Sequence, residues 1–240
     1  MYKRLPQTCI NSIETRTRKN TMLGSSVGKK GKNLTNDVKT IQQIINLRDD
    51  LRKTLPKLVV DGKFGAKTQS AIDQIQSSYT KKPDGRIDPY GTAIKTAWPT
   101  SYGKPTGLGI RGTDSYGAGH HGASRGSRTH DGTDYTSTPG QQVKAPLSGK
   151  VTKISKPYSS GVDAALLSGV EIVASDGTKC WVWYMQPSAN IVGTIVKAGS
   201  SVIGIAKTLT NRYTSGITDH VHVRIHNRYG AKVNPTLVIK

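Results

Sequence analysis

The chain has 240 residues, enough for one large domain or two smaller ones, and its hydrophobic fraction of 34% implies modest cores with many turns. Lys and Arg total 35 against 15 Asp and Glu, a net charge of +20 that favours a polyanionic partner such as nucleic acid, a phosphate-bearing cell wall or an outer-membrane surface. The basic residues are spread rather than massed into an arm, and Phe64 is the only Phe, which argues against a basic tail or an aromatic RNA-binding sheet. Glu14 and Glu171 are the only glutamates, so a His-Glu-x-x-His zinc helix is excluded and a two-carboxylate glycosidase would have to rely on Asp.

Residues 1–35 are basic and polar and are expected to form a tail or loosely docked lead-in. They lack the apolar stretch of a secretory signal, and no apolar run reaches the ~20 residues needed to span a membrane. The expectation is a protein secreted without a signal peptide. Cys9 and Cys180 are expected to be two free thiols, with a single disulfide as the alternative.

Asn36 is a plausible N-cap, and Val38, Ile41, Ile44, Ile45 and Leu51 follow at helical spacing. Asp61-Gly62 and Gly65 mark a tight turn, and a second amphipathic stretch places Ala71, Ile72, Ile75 and Tyr79 on one face. The turn returns at Asp84-Gly85, before a short helix that ends near Trp98. Residues 36–99 therefore read as a small three-helix module, and the Gly/Pro/Ser/Thr-rich residues 100–118 as a linker. From 119 to 240 the pattern changes to short β-prone runs between Gly, Pro, Asn and Asp turns, which predicts an antiparallel β domain. The fold class expected is α+β with two domains.

Two motifs in the β part carry chemistry. One is His130-Asp131-Gly132-Thr133-Asp134; the other is His220-Val221-His222. On a strand, residues two or four apart share a face, so His130 can lie beside Asp134 and His220 beside His222. Gly132 leaves room between the first pair. Two imidazoles and a carboxylate suit zinc with a vacant fourth position, and a further His nearby can move protons. The same residues would also serve as a turn hydrogen-bond pair and a half-exposed strand face.

These residues resemble the lysostaphin/LytM-type zinc metallopeptidases, and the likeness covers about residues 118–240. It runs from RTHDGTDYTSTPGQQVKAPLSGKVTKI through KAGSSVIGIA to DHVHVRIHNRYGAKVNP. The resemblance implies that His130, Asp134 and His222 are zinc ligands and His220 a catalytic His. Where the family has a second catalytic His in Tyr-x-His-Leu, the matching stretch here is Tyr184-Met185-Gln186-Pro187. Gln186 is then expected to stabilise an oxyanion as a hydrogen-bond donor, with Tyr184 or Tyr213 assisting. This departure is similar to a variant branch that includes leukocyte cell-derived chemotaxin, regarded as a binding protein. His120 and His121 are expected in a solvated loop, and His226 at the periphery.

Residues 36–99 resemble a three-helix peptidoglycan-binding domain, on the Asp-Gly-x-x-Gly-x-x-Thr-x-x-Ala-Ile order and its repeated Asp-Gly turn. Together the two resemblances imply a zinc endopeptidase acting on peptidoglycan. The alternative is a non-catalytic zinc-containing protein that binds peptidoglycan or a partner. The lead-in GSSVGKKGKNLTNDVKTIQQIIN is similar to openings of type VI secretion effectors, which implies an antibacterial toxin with a secretion-system carrier and an immunity protein, acting in the periplasm or cell wall of a target bacterium; a phage endolysin is the alternative setting.

Overall fold

The computed structural model describes residues 21–160, 166–213 and 216–240. It is an α+β protein with a helical N-terminal part followed by an antiparallel β-rich part. Strand β1 (Val27–Gly28) precedes helices α1 (Thr35–Leu47), α2 (Asp49–Arg52) and α3 (Ala66–Ser77); strand β2 (Arg86–Ile87) and helix α4 (Thr92–Ala97) complete the first part. Val38, Ile41, Ile44 and Ile45 are fully buried along one face of α1, as their spacing requires. They pack with Ala71, Ile72 and Ile75 of α3 and with Ala93, Ile94 and Ala97 of α4.

The two Asp-Gly turns share one device. Gln42 accepts from the Gly62 N–H at 2.9 Å and donates to Asp61 Oδ1 at 2.9 Å. Gln76 accepts from the Gly85 N–H at 2.7 Å and donates to Asp84 Oδ1 at 2.6 Å. Each buried glutamine thus clasps a turn whose glycine sits at positive φ (78° and 71°), satisfying its own amide at the same time.

Three expectations differ from what is observed here. Residues 21–34 are packed rather than loose: Met22, Leu23 and Val27 are buried, and β1 pairs with β2. Three apolar residues in a polar stretch are too sparse to give a periodic signal. Helix α1 begins at Thr35 with Leu34 in the cap position, so Asn36 does not cap it; Asp37 in the first turn instead accepts from the Gly24 N–H at 2.8 Å. The segment read as a linker is laid against the β domain. Tyr102 bridges to Leu147 and Ile110 to Tyr135, and β3 (Thr113–Asp114) forms a short hairpin with β4 (Gly117–Ala118).

The β part comprises β5 (Thr133–Thr136), β6 (Gln142–Lys144), β7 (Gly149–Ser155), β8 (Ser168–Val173), β9 (Lys179–Pro187), β10 (Ile195–Val196), β11 (Val202–Ala206), β12 (His220–His226) and β13 (Lys232–Val233), then a last helical turn α5 (Pro235–Val238). The strands run in the order β10-β7-β8-β9-β11-β6, every pair antiparallel, with β12 pairing β9, β5 and β13. Alternate residues such as Val170, Ile172, Cys180, Val182, Val221, Val223 and Ile225 form the core. Cys180 is buried and makes no disulfide with a described residue; Cys9 lies outside the described residues.

Strand β9 changes partner midway. Residues 179–183 pair with β12, and 185–187 with β11. Tyr184 sits between, at φ 70°, as the extra residue of a bulge opposite Ser168-Gly169. The bulge resets the alternation, so that Trp183 and Tyr184 both line one cleft.

The two parts are in direct contact. Ile195 is buried within the helical core, Gln43 Oε1 accepts from the Ile195 N–H at 2.9 Å, and Lys150 Nζ donates to Thr40 Oγ1 at 2.8 Å.

A Cβ at Gly169 would collide with the Val182 carbonyl. Gly169→Ala is therefore expected to destabilise the chain by about 3 kcal/mol, the upper end for overpacking, as measured by urea unfolding.

Candidate metal centre

β5 and β12 are neighbours, in a register that sets His222 opposite Asp134 and His220 opposite Thr136. The pairing brings the two motifs together. His130 Nε2, Asp134 Oδ1 and His222 Nδ1 converge: His222 Nδ1 is 2.9 Å from Asp134 Oδ1, and His130 Nε2 is 3.2 Å from that oxygen and 3.1 Å from His222 Nδ1. All three side chains are buried, and their donor atoms lie within 4.8 Å of one another.

The surroundings fix which ring nitrogens face inward. His130 Nδ1 lies 3.0 Å from the His120 carbonyl oxygen, which only accepts, so Nδ1 carries the proton and Nε2 presents its lone pair to the centre. His220 Nδ1 donates in the same way to the Thr218 carbonyl at 2.7 Å, leaving Nε2 unprotonated 3.6 Å from Asp134 Oδ1. Burial lowers the His220 pKa despite the nearby Asp134 carboxylate, so the ring is neutral around pH 7.

Asp134 is held from both sides. Oδ1 faces the imidazoles, while Oδ2 accepts from Arg111 Nη2 at 3.0 Å and lies 3.6 Å from Arg125 Nη2. Burial by itself would raise the Asp134 pKa, but the close approach of the His130 and His222 rings and the charges around it keep the carboxyl far below the usual carboxylate range. Arg111 is only 3% exposed; it also pairs with Asp114 and donates to the Gly117 carbonyl at 2.8 Å.

The residues fit a zinc ion. Two imidazole nitrogens and one carboxylate oxygen point at one spot, His130 and Asp134 are oriented by hydrogen bonds behind them while His222 Nε2 faces Asp131 Oδ1 at 3.7 Å, and the set matches the three-protein-ligand pattern of catalytic sites. Gly132 completes the cradle, since a Cβ there would strike the His222 ring and the Val223 carbonyl.

The centre opens into a cleft of about 400 Å³. Beyond the motif residues its walls carry Tyr158, Tyr184 and Tyr213 on one side. The Tyr158 hydroxyl is 2.6 Å from that of Tyr213 and donates to that of Tyr184 at 3.3 Å. Burial pushes the Tyr158 phenol up to about 12 and raises the Tyr184 phenol well above its ordinary value, so both stay protonated. The Tyr184 ring stands edge-on to His220, with centroids 5.3 Å apart.

Gln186 is not at the centre. It is exposed on β9, pairs with Ile205 of β11 and does not line the cleft. Aligning the motif by sequence put Gln186 at the catalytic position, but the bulge at Tyr184 turns Tyr184 into the cleft. His120 contributes its carbonyl, His121 does not line the cleft, and His226 packs edge-on against Trp181 at 5.0 Å. Arg111, Arg125 and Tyr158 were not singled out from the sequence. Each is one residue in a Gly- or Ser-rich stretch, and only the fold brings it to Asp134 or Tyr184.

The model of Peptidase family M23 matches residues 128–235, and that of a putative peptidoglycan binding domain matches residues 35–90. Leukocyte cell-derived chemotaxin-2 of Mus musculus is 31% identical over 132 residues, 55% of this chain and 83% of that protein. The Bos taurus protein of the same name is 33% identical over 115 residues, 48% of this chain and 71% of that protein. The chain belongs to peptidase family M23. Among solved structures, lysostaphin matches at 21% identity with a TM-score of 0.39, covering 55% of this chain and 53% of that one. A zinc containing peptidase from Vibrio cholerae matches at 20% identity with a TM-score of 0.39, covering 56% and 39%. The chain thus spans about half, or less, of the length of these solved chains.

Removing Arg111 would take a guanidinium from buried Asp134 and from half-buried Asp114. Arg111→Ala is expected to cost about 3–5 kcal/mol in chemical denaturation, whether or not metal is present.

Proposed function

We propose that the chain is a zinc-dependent endopeptidase that cuts peptides of bacterial peptidoglycan. The observation that carries this reading is the convergence of His130 Nε2, Asp134 Oδ1 and His222 Nδ1 at the floor of an open cleft, with His220 beside them. These three residues would hold the ion. Zinc bound there supplies Lewis-acid polarisation of a peptide carbonyl and activation of water for attack.

The remaining roles fall to the chain's own side chains. His220 accepts a proton at Nε2 and returns it to the departing amine, its ring held by the Thr218 carbonyl. The Tyr184 hydroxyl receives a hydrogen bond from Tyr158 and has its own proton to offer to the developing oxyanion. Tyr184 takes the part that Gln186 was expected to play. The helical part, matched by the peptidoglycan-binding model, would anchor the protein on its substrate and raise the local concentration of cleavable peptides. A net charge of +20 favours adsorption to an anionic envelope.

The setting we favour is an antibacterial effector that acts in the envelope of a target cell, with a secretion-system carrier and a cognate immunity protein. It rests on the resemblance of residues 24–46 to the openings of type VI effectors; a phage endolysin would use the same chemistry. A second reading, zinc-containing binding without cleavage, is favoured by one observation: apart from the proposed ligands, His220 is the only described histidine that lines the cleft.

Digestion of purified sacculi, with metal content measured in parallel, separates these readings. His130→Ala, Asp134→Ala and His222→Ala are each expected to lose zinc and all release of soluble fragments. His220→Ala is expected to retain zinc and lose release. If wild type holds zinc and releases nothing, the binding reading replaces the catalytic one. Tyr184→Phe is expected to lower the cleavage rate roughly a hundredfold, in the range of a lost oxyanion donor, whereas Gln186→Ala stays within about twofold of wild type. Steady-state cleavage of a labelled stem peptide measures both.

A further inference from the structure

The cleft lining is also basic. Arg111, Arg125, Arg128 and Arg224 line it, against two aspartates, Asp131 and Asp134. These arginines are not equivalent. Arg111 is consumed by Asp114, Asp134 and the Gly117 carbonyl. Arg125 donates to the Ser124 and Ala118 carbonyls and faces Asp134.

Arg224 lies on β12 two residues past the proposed ligand His222. Its guanidinium packs against Trp181 and Trp183, at 4.7 Å and 4.5 Å from their ring centroids, and Nη1 donates to Asp131 Oδ2 at 3.2 Å. Nη2 hydrogen-bonds nothing among the described residues, and Nε is buried without a partner. The planar fork is therefore clamped between rings and an acid with part of its donor set unused. Arg128 is exposed on the loop that leads into His130, lines the same cleft, and has no acidic partner among the described residues. A wall with this surplus of cation is unsuited to a neutral peptide. It is suited to a peptide that brings its own negative charge, because an Arg fork matches a carboxylate in both geometry and charge.

We propose that Arg128, backed by the clamped Arg224, binds a free carboxylate of the substrate peptide, so that the protein selects acidic stem peptides over neutral ones. This rests on the peptidase reading of the same cleft. Arg128 supplies the mobile cation that captures the carboxylate, and Arg224 supplies a fixed one. Asp131 holds Arg224 in place and sets the wall's outer limit, since a carboxylate pushed further would meet its charge.

The test compares two synthetic peptides, Ala-γ-D-Glu-Lys-D-Ala-D-Ala with a C-terminal amide and the same peptide with its glutamyl α-carboxylate converted to carboxamide. Their affinities are measured by calorimetry on the full zinc-loaded chain carrying His220→Ala, so that neither is consumed. The expected result is a preference of roughly tenfold for the carboxylate form, the scale of one charge-assisted hydrogen bond, falling as salt rises. Arg128→Gln, an exposed change that leaves the core untouched, is expected to reduce that preference to about twofold or less, and Arg128→Lys to restore part of it. Equal affinity for the two peptides in the Arg128-containing protein overturns the proposal, as does an undiminished preference in Arg128→Gln. Failure of both peptides to bind overturns it too, while sacculus digestion by the His220-containing protein reports separately on the peptidase reading.

Discussion

The buried carboxylate of Asp134 is the constraint around which the β part is organised. A charge taken that far from water is tolerated only when it is paired on every side. Two imidazoles meet one oxygen and two guanidinium groups meet the other. Those partners come from four separate stretches of chain: the segment before the β3–β4 hairpin, the loop before His130, the His130 approach itself and β12. Satisfying a single acid therefore ties these four stretches to one point. It also leaves Oδ1 aimed in one direction, which is what a metal ligand requires.

Much of the fold was legible in the sequence because it rests on periodicity. The stripe Val38, Ile41, Ile44, Ile45 could only be one face of a helix, and the alternation in HVHVRIH could only be a strand with its valines inward. The motif residues were legible for the same reason, since spacings of two and four residues place side chains on a common face. The identity of the packed lead-in was not, because Met22, Leu23 and Val27 are too few and too irregularly spaced to mark a core. Nor was the role of residues 100–118. Their Gly and Pro content describes turns but does not say whether the turns are tethered, and Arg111 becomes informative only once Asp134 is opposite it.

The misplacement of Gln186 has a specific cause. It was placed by matching Tyr184-Met185-Gln186-Pro187 to the family's Tyr-x-His-Leu, whereas Gln186 lies past the bulge, exposed on the part of β9 that pairs with β11, and the residue at the bulge, Tyr184, is the one that lines the cleft. The bulge is where β9 leaves β12 to pair with β11. Strand exchange and cleft wall thus arise from one irregularity, and Gly169 across from it is the feature of the sequence that hints at it. The repeated glutamine clasp in the helical part is a comparable device. Gln42 and Gln76 are polar residues on buried helix faces, and what explains each is the Asp-Gly turn that its amide completes.

Ile195 belongs to the β part by sequence and to the helical core by contact, with Gln43 and Lys150 bonded across the same seam. Two parts joined this way have no free tether between them. Under the function proposed above, such a protein would cut a polymer at a set offset from wherever it has taken hold, and reaching the next bond would mean letting go first.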